Sequence, residues 1–373
     1  MGEKINNFED CEEKKQFIEQ IKKKFGHEEL LEKINLLKNL KVLVIGDTII
    51  DVYTYVLPKG RAIKDPILST EFTSEDIFAG GALAVANHVS SYVDCVSMVT
   101  LIGDHNSYTE FINQSLSKNI QLKTFVKENS PTIVKKRYID SYRKNKLFKV
   151  EYMNDKPIPK ELSEQIKNYL SEELPKYDLV LVLDYNHGFI DNEIKKILQE
   201  KSKFLSLNVQ TNSANMGYNY VTSYDHSDFI CMNEEELRLP LMMKFENIEE
   251  VINQFSNKFG HKQFLVTRGK KGCIFSSYGK NYSAPILIEK IVDTVGAGDA
   301  VFAIASLLAC IKIDEEIIPF IANCAGGLGA NIIGNKEPVS KEKLLNFVEK
   351  LYYESITKNR LLEMMEKLYD DLK

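Results

Sequence analysis

The sequence is short of every feature that would take the chain out of water. No apolar run approaches the ~20 residues that a membrane helix needs. The opening MGEKINNFEDCEEKK has no apolar signal core. Gly2 after Met1 is, alone, a weak lipidation signal. Positive charge is not in excess either. The net charge is -5, and the lysine runs at 22–24 and 270–271 are short enough to be solvated faces. Nucleic acid and membrane are therefore not expected as partners. Six cysteines lie at 11, 95, 231, 273, 310 and 324, and no pair has zinc-knuckle or redox-dithiol spacing. Cys95, Cys231 and Cys310 sit in apolar runs and read as small buried hydrophobes, which points to a reducing cytoplasm. No Gly-x-x-x-x-Gly-Lys-Ser/Thr is present, and no Gly-x-Gly-x-x-Gly follows a strand-like run, so P-loop and dinucleotide-binding chemistry are disfavoured.

What is present is a 373-residue chain, 44% apolar and 27% charged, ample for a large core. Residues 1–40 are rich in lysine and glutamate, with apolar residues at helical spacing (Phe17, Ile18, Ile21, Phe25; then Leu30, Leu31, Ile34, Leu37). They predict an added N-terminal helical extension. From Lys41 the pattern changes to short β-branched runs, at 41–46, 95–101, 178–184, 204–209, 229–232 and 264–267. Amphipathic stretches alternate with them at 81–92, 107–117, 160–173, 191–201 and 248–259. The alternation predicts an α/β fold with a mostly parallel sheet covered on both faces. Residues 52–78 and 121–153 break it with strand-like pieces and no clear helix. They are expected to form a small antiparallel β-sheet lid over a ligand cleft. Residues 341–373 read as helical, with 351–373 as a C-terminal tail.

The most informative stretch is Asp293-Thr-Val-Gly-Ala-Gly-Asp-Ala-Val-Phe-Ala303. Its glycines permit tight backbone geometry and put backbone N–H groups at the start of an apolar helix, where the dipole favours an anion. Such a site suits the charge that develops in phosphoryl transfer. Asp299 beside it can accept a hydroxyl proton. An isolated aspartate there would read as a helix cap; in this motif the catalytic reading is favoured.

Residues 293–303 resemble the C-terminal signature of the ribokinase-like (PfkB-type) carbohydrate kinases. Other pieces resemble that family in the same order: Gly46-Asp-Thr-Ile-Ile-Asp51, Gly80-Gly81 before a helix, Asn233-Glu-Glu-Glu236 and Val266-Thr-Arg-Gly-Lys-Lys-Gly272. Together they span residues 41–350. The resemblance implies a ribokinase-like three-layer sandwich and an ATP-dependent sugar kinase with Asp299 as general base. Gly296, Ala297 and Gly298 would form the anion hole. Asp51, Gly80 and Gly81 would contact substrate hydroxyls, with Asp47 a less certain contributor. Asn233 and Glu236 would order Mg2+ and its waters. Thr267, Gly269 and Gly272 would border ATP, and Asn323 would lie near the adenine. A monovalent cation such as K+ stays open as an activator. Exposed lid edges suggest a homodimer through the lid.

Within the family the sequence is most similar to the branch that phosphorylates heptose 7-phosphate at its anomeric oxygen. Arg61-Ala-Ile-Lys-Asp-Pro66, Pro131-Thr-Ile-Val-Lys-Lys-Arg137 and Leu183-Asp-Tyr-Asn-His-Gly188 carry that similarity. It makes Asp184 a substrate contact. Arg61, Lys64, Lys135 and Arg137 are candidates to hold a substrate phosphate, although ordinary lid-surface charge explains them nearly as well. Three positions depart from the pattern. Ala84 stands where an asparagine usually meets the sugar, and Asn87, three residues on, is the candidate replacement. Asn208 stands for an aspartate, and His187 for a lysine. These departures leave the sugar open among heptose phosphate, ribose, fructose and nucleoside. A catalytically silent sugar-binding protein on the same fold is the competing class, and N-terminal helices serving as a partner-binding module are a third reading. No room is expected after residue 350 for the nucleotidyltransferase domain that commonly follows.

Overall fold

A computed structural model describes residues 2–288 and 291–353. The helices are α1 (Gly2–Lys24), α2 (His27–Asn35), α3 (Ala82–Ser90), α4 (Thr109–Ser115), α5 (Lys160–Glu173), α6 (Asn192–Lys201), α7 (Glu234–Arg238), α8 (Ile248–Phe259), α9 (Ala297–Cys310) and α10 (Ile317–Gly329). Residues 341–353 are also helical; residues 354–373, expected to continue as helix, lie outside the described residues. The strands are β1 (Val42–Arg61), β2 (Leu68–Gly81), β3 (Val96–His105), β4 (Ile120–Pro131), β5 (Ile133–Asp140), β6 (Lys146–Tyr152), β7 (Leu179–Asp184), β8 (Leu205–Val209), β9 (Phe229–Asn233), β10 (Gln263–Thr267), β11 (Cys273–Ser277) and β12 (Lys280–Ala284).

The main sheet runs β12-β11-β10-β9-β8-β7-β1-β3-β4. From β10 to β4 every pairing is parallel; β11 and β12 join antiparallel at one edge. Each central strand is apolar on both sides because helices cover both faces. In β1, Val42 and Val44 enter one core while Leu43 and Ile45 enter the other. β7 divides the same way, Leu179, Leu181 and Leu183 against Val180 and Val182. The first core takes α3, α9 and α10; the second takes α5, α6 and α8. This is the three-layer α/β sandwich expected.

The N-terminal helices belong to the first core. Ile21, Leu30, Ile34 and Leu37 are at most 2% exposed there. Lys33 pairs with Asp314 at 2.5 Å, and Tyr352 Oη donates to the Phe25 carbonyl at 3.0 Å. Burial of each such side chain stabilises by roughly 1.5–3 kcal/mol. That packing makes the two helices part of the first core.

The lid differs from expectation in two ways. β1 does not end at the sheet edge; beyond Thr48 it runs on as the lid's central strand, pairing antiparallel with β2 and parallel with β5. β6 completes the lid against β5. Residues 121–131, expected in the lid, instead extend the main sheet as β4, parallel to β3. Their alternating polar exposure comes from the sheet's edge position, which mimics a lid strand in sequence.

Candidate active site

The carboxyl ends of β7, β8, β9 and β10 open beside the point where β1 leaves the sheet. In such a sheet, that crevice next to a change in strand order is where ligands bind. A cleft of about 300 Å³ lies there, lined by Asp51, Gly81, Lys135, Tyr185, Asn233, Glu236, Gly296 and Asp299 among others. A second, more apolar cavity of about 390 Å³ adjoins it, lined by Gly269, Gly272, Ile286, Ile288, Val301, Asn323 and Gly327. Thr267, Thr294 and Gly298 border both.

Asp299 sits in the first turn of α9, 8% exposed. Tyr185 Oη donates to its Oδ1 and Asn335 Nδ2 to its Oδ2, each at 3.5 Å. Burial, then the nearby negative charge of Asp51, pushes its carboxyl up to about 7. A group so poised can take a proton at neutral pH. Gly296, with φ +87°, caps α9, and a Cβ there would collide with the Asn335 side chain.

Asp51 stands across the cleft on β1. Arg137 on β5 pairs with its Oδ1, while a Cβ on Gly80 would strike its Oδ2. Gly80 is thus what lets a carboxylate stand against the β2 backbone. Lys135, two residues before Arg137, is 6% exposed, and its Nζ lies 5.1 Å from the Tyr185 ring centroid. Among the described residues it has no carboxylate within ion-pair distance, and burial lowers its pKa.

Several expected residues lie elsewhere. Asn87 is tied to the end of α4, donating to the Ser115 carbonyl at 2.9 Å and accepting from Ser117 N at 3.0 Å. It lines a different cavity and does not replace the missing asparagine at Ala84. Asp184 is 1% exposed and turned beneath the cleft, pairing with Lys195 at 3.2 Å and accepting from Tyr224 Oη at 3.0 Å. Asp47 is also below the cleft, accepting from Tyr185 N at 3.3 Å; burial and the Asp184 charge push it up to about 7. Of the four lid cations, Arg61 and Lys64 are exposed on the far lid and Arg137 is already paired. His187 is 2% exposed and stacks near-parallel on Tyr185; among the described residues neither ring nitrogen has a hydrogen-bond partner.

Asn233 and Glu236 are turned on each other. The Asn233 side chain accepts from Glu236 N at 2.8 Å, while Glu236 accepts from Asn233 N at 2.9 Å and Thr211 N at 3.1 Å. This is a capping box at the start of α7, and burial raises Glu236 to about 7. Each Glu236 carboxylate oxygen takes one backbone N–H and keeps a further lone pair for a water of a hydrated cation. Among the described residues no group of three His, Cys, Asp or Glu is arranged to hold an ion. Asn323 accepts from Leu287 N at 3.3 Å at the floor of the apolar cavity.

Sequence reasoning passed over Asn335, Tyr53 and Lys146. Tyr185 lies within a quoted motif but was given no role. Asn335 adopts φ +58° in a loop with no motif, so only its contacts reveal it. Tyr53 and Lys146 read as ordinary lid-strand residues.

The carboxylate-lined cleft and the apolar cavity thus meet at the Gly296-capped start of α9. The pfkB family carbohydrate kinase profile matches residues 39–317, and the chain belongs to that family. The chain is 25% identical over 275 residues to the bifunctional protein HldE of Helicobacter pylori, strain P12, covering 72% of this chain and 58% of that protein. HldE of Koribacter versatilis is 23% identical over 308 residues, covering 82% and 62%. The chain thus spans about three-fifths of the length of these relatives. Among solved structures, phosphofructokinase-2 of Escherichia coli in complex with potassium superposes with a TM-score of 0.67 at 12% identity, covering 84% of this chain and 99% of that one. Ribokinase of Thermotoga maritima gives 0.65 at 18%, covering 83% and 99%. Arabidopsis thaliana ribokinase complexed with ribose and ATP gives 0.62 at 19%, covering 83% and 98%.

Proposed function

We propose that the chain phosphorylates a sugar that already carries a phosphate, with heptose 7-phosphate as the first candidate. The observation that carries this reading is Lys135. A buried ammonium without a carboxylate partner is costly unless an anion arrives. Tyr185 spans from Lys135 to Asp299, with its ring under the ammonium and its hydroxyl on the carboxylate. A sugar lying along that ring places its phosphate at Lys135 and a hydroxyl at Asp299. Lys149 and Glu151, paired at 2.8 Å, influence the same end, and His187 adds unsatisfied donors or acceptors there.

In this reading ATP lays its adenine in the apolar cavity over Asn323 and its phosphates across Thr267, Gly269 and the 296–298 turn. Asn233 and Glu236, which line the cleft, would order a Mg2+ ion through its waters, and the ion would neutralise phosphate charge. Asp299 takes the acceptor proton as the oxygen attacks. Backbone N–H groups of 296–298 receive the charge on the moving phosphoryl group. Asp51 accepts from a second hydroxyl.

Lys135→Met tests the phosphate assignment. It should raise KM for a phosphorylated acceptor by about 10-fold or more and change KM for a neutral sugar little. Equal loss on both acceptors would remove Lys135 as the phosphate site.

A second copy of the chain is the proposed partner. The lid's outer face leaves Phe72, Ile77, Phe148 and Tyr152 between 41% and 64% exposed, and β2 and β6 are its open edges. Light scattering at micromolar concentration should give a dimer mass.

A further inference from the structure

Asp293 opens the signature loop, 8% exposed, and is the meeting point of three segments. Tyr53 Oη, on the lid half of β1, donates to its Oδ2 at 2.6 Å. Lys146 Nζ, at the start of β6, donates to its Oδ1 at 2.6 Å. The backbone N–H groups of Val295 and Gly334 complete the set at 3.1 Å and 3.3 Å. Burial alone would raise the carboxyl; Lys146 and Tyr53 hold it below the ordinary range.

The contacts continue on both sides. Two cations lie over the Tyr53 ring, Lys146 Nζ 5.6 Å and the Arg137 guanidinium 5.7 Å from its centroid. Arg137 holds Asp51. In the other direction Gly334 leads directly to Asn335, which reaches Asp299. A chain of contacts therefore runs from Asp51 in the sugar cleft, through the lid, to the loop beside the anion site.

We propose that Lys146 is a positioning residue for phosphoryl transfer: its ammonium latches the lid onto Asp293 and so holds residues 294–298 in the anion-binding conformation. This rests on the kinase reading of the site. Its physical basis is the imbalance within the pair. The Lys146 side chain is 39% exposed and Asp293 only 6%. A lid that swings away returns the lysine to water readily and takes Tyr53 with it, leaving Asp293, among the described residues, with only the backbone N–H groups of Val295 and Gly334. The loop is then free to rearrange, and the anion site is assembled only while the lid covers the cleft.

The test compares wild type, Lys146→Met and Lys146→Arg by two measurements. Hydrogen–deuterium exchange of residues 294–298 in the free protein needs no acceptor. The methionine variant should exchange at least about 10-fold faster, and the arginine variant like wild type. In turnover, Lys146→Met should lower kcat at least about 10-fold with KM for ATP within about 3-fold, and Lys146→Arg should recover most of the loss. Exchange in Lys146→Met within about 2-fold of wild type overturns the latch whatever the kinetics. Equal kcat losses in both variants overturn it too. If wild type phosphorylates no sugar, the kinase reading fails, and the exchange result still decides the latch.

Discussion

Asn335 both positions Asp299 and excludes a side chain from Gly296. Its Nδ2 lies 3.5 Å from the Asp299 carboxylate, and its Oδ1 occupies the space that a Cβ on Gly296 would need. The loop that carries Asn335 and the signature turn are therefore one assembly, and a change in either should be felt at the base.

Gly296→Ala meets both obstacles at once, the Asn335 side chain and φ +87°. The backbone strain alone costs about 1–3 kcal/mol, and displacing the turn should cost about 100-fold in kcat. A Cβ on Gly298 meets nothing within 4 Å, so Gly298→Ala should unfold at the wild-type temperature. Thermal melts of both variants with kcat for each check the contrast.

Asp299→Asn removes the proposed proton acceptor while keeping its shape. It should lower kcat by about 10²–10⁴-fold with equilibrium ATP binding retained, as measured by calorimetry. Retention of more than a tenth of wild-type kcat would move the base elsewhere.

The pH dependence follows from the raised Asp299 carboxyl. It must be ionised to accept a proton, so kcat/KM should rise with pH through about 7 and level above it. Asp47 and Glu236 are raised to the same region, so the residual rate of Asp299→Asn is the necessary control and should lack that limb. The same shift bears on stability. A carboxyl with a higher pKa folded than unfolded penalises the native state once ionised. Asp299→Asn should therefore melt at a higher temperature than wild type above pH 7. The gain should shrink as pH falls from 7 toward the ordinary carboxylate range, where both forms are neutral.

Removal of residues 1–39 strips the first core of Leu30, Ile34 and Leu37, each at most 1% exposed. Leu37→Ala alone should cost about 2–5 kcal/mol, measured by urea unfolding. A truncated chain that stays soluble and as stable as the full chain would show the helices to be dispensable.

The sheet was legible because its strands are buried on both faces, and runs such as 41–46 and 178–184 carry no polar alternation to confuse them. The signature turn was legible because glycines and an aspartate in fixed spacing announce an anion site. The lid boundary was not. β1 crosses from sheet to lid without a turn residue, and β4 alternates like a lid strand because it is an edge. Local pattern could not sort the cations either. Lys135 and Arg137 look alike in Lys135-Lys-Arg137, yet Arg137 is spent on Asp51 and Lys135 is not. Asn87 faces as a helical replacement for Ala84 should, but the α4 terminus claims its amide. Such outcomes depend on which distant segment arrives, and spacing along the chain does not carry that.

The most direct measurement is ATP-dependent ADP release across heptose 7-phosphate in both anomers, fructose 6-phosphate, fructose, ribose and adenosine. Wild type and Asp299→Asn should be run side by side. Turnover on a phosphorylated sugar, at least about 10-fold above the neutral sugars in kcat/KM and abolished in the variant, is the result expected. Turnover on ribose or adenosine equal to or above that on every sugar phosphate would contradict the account.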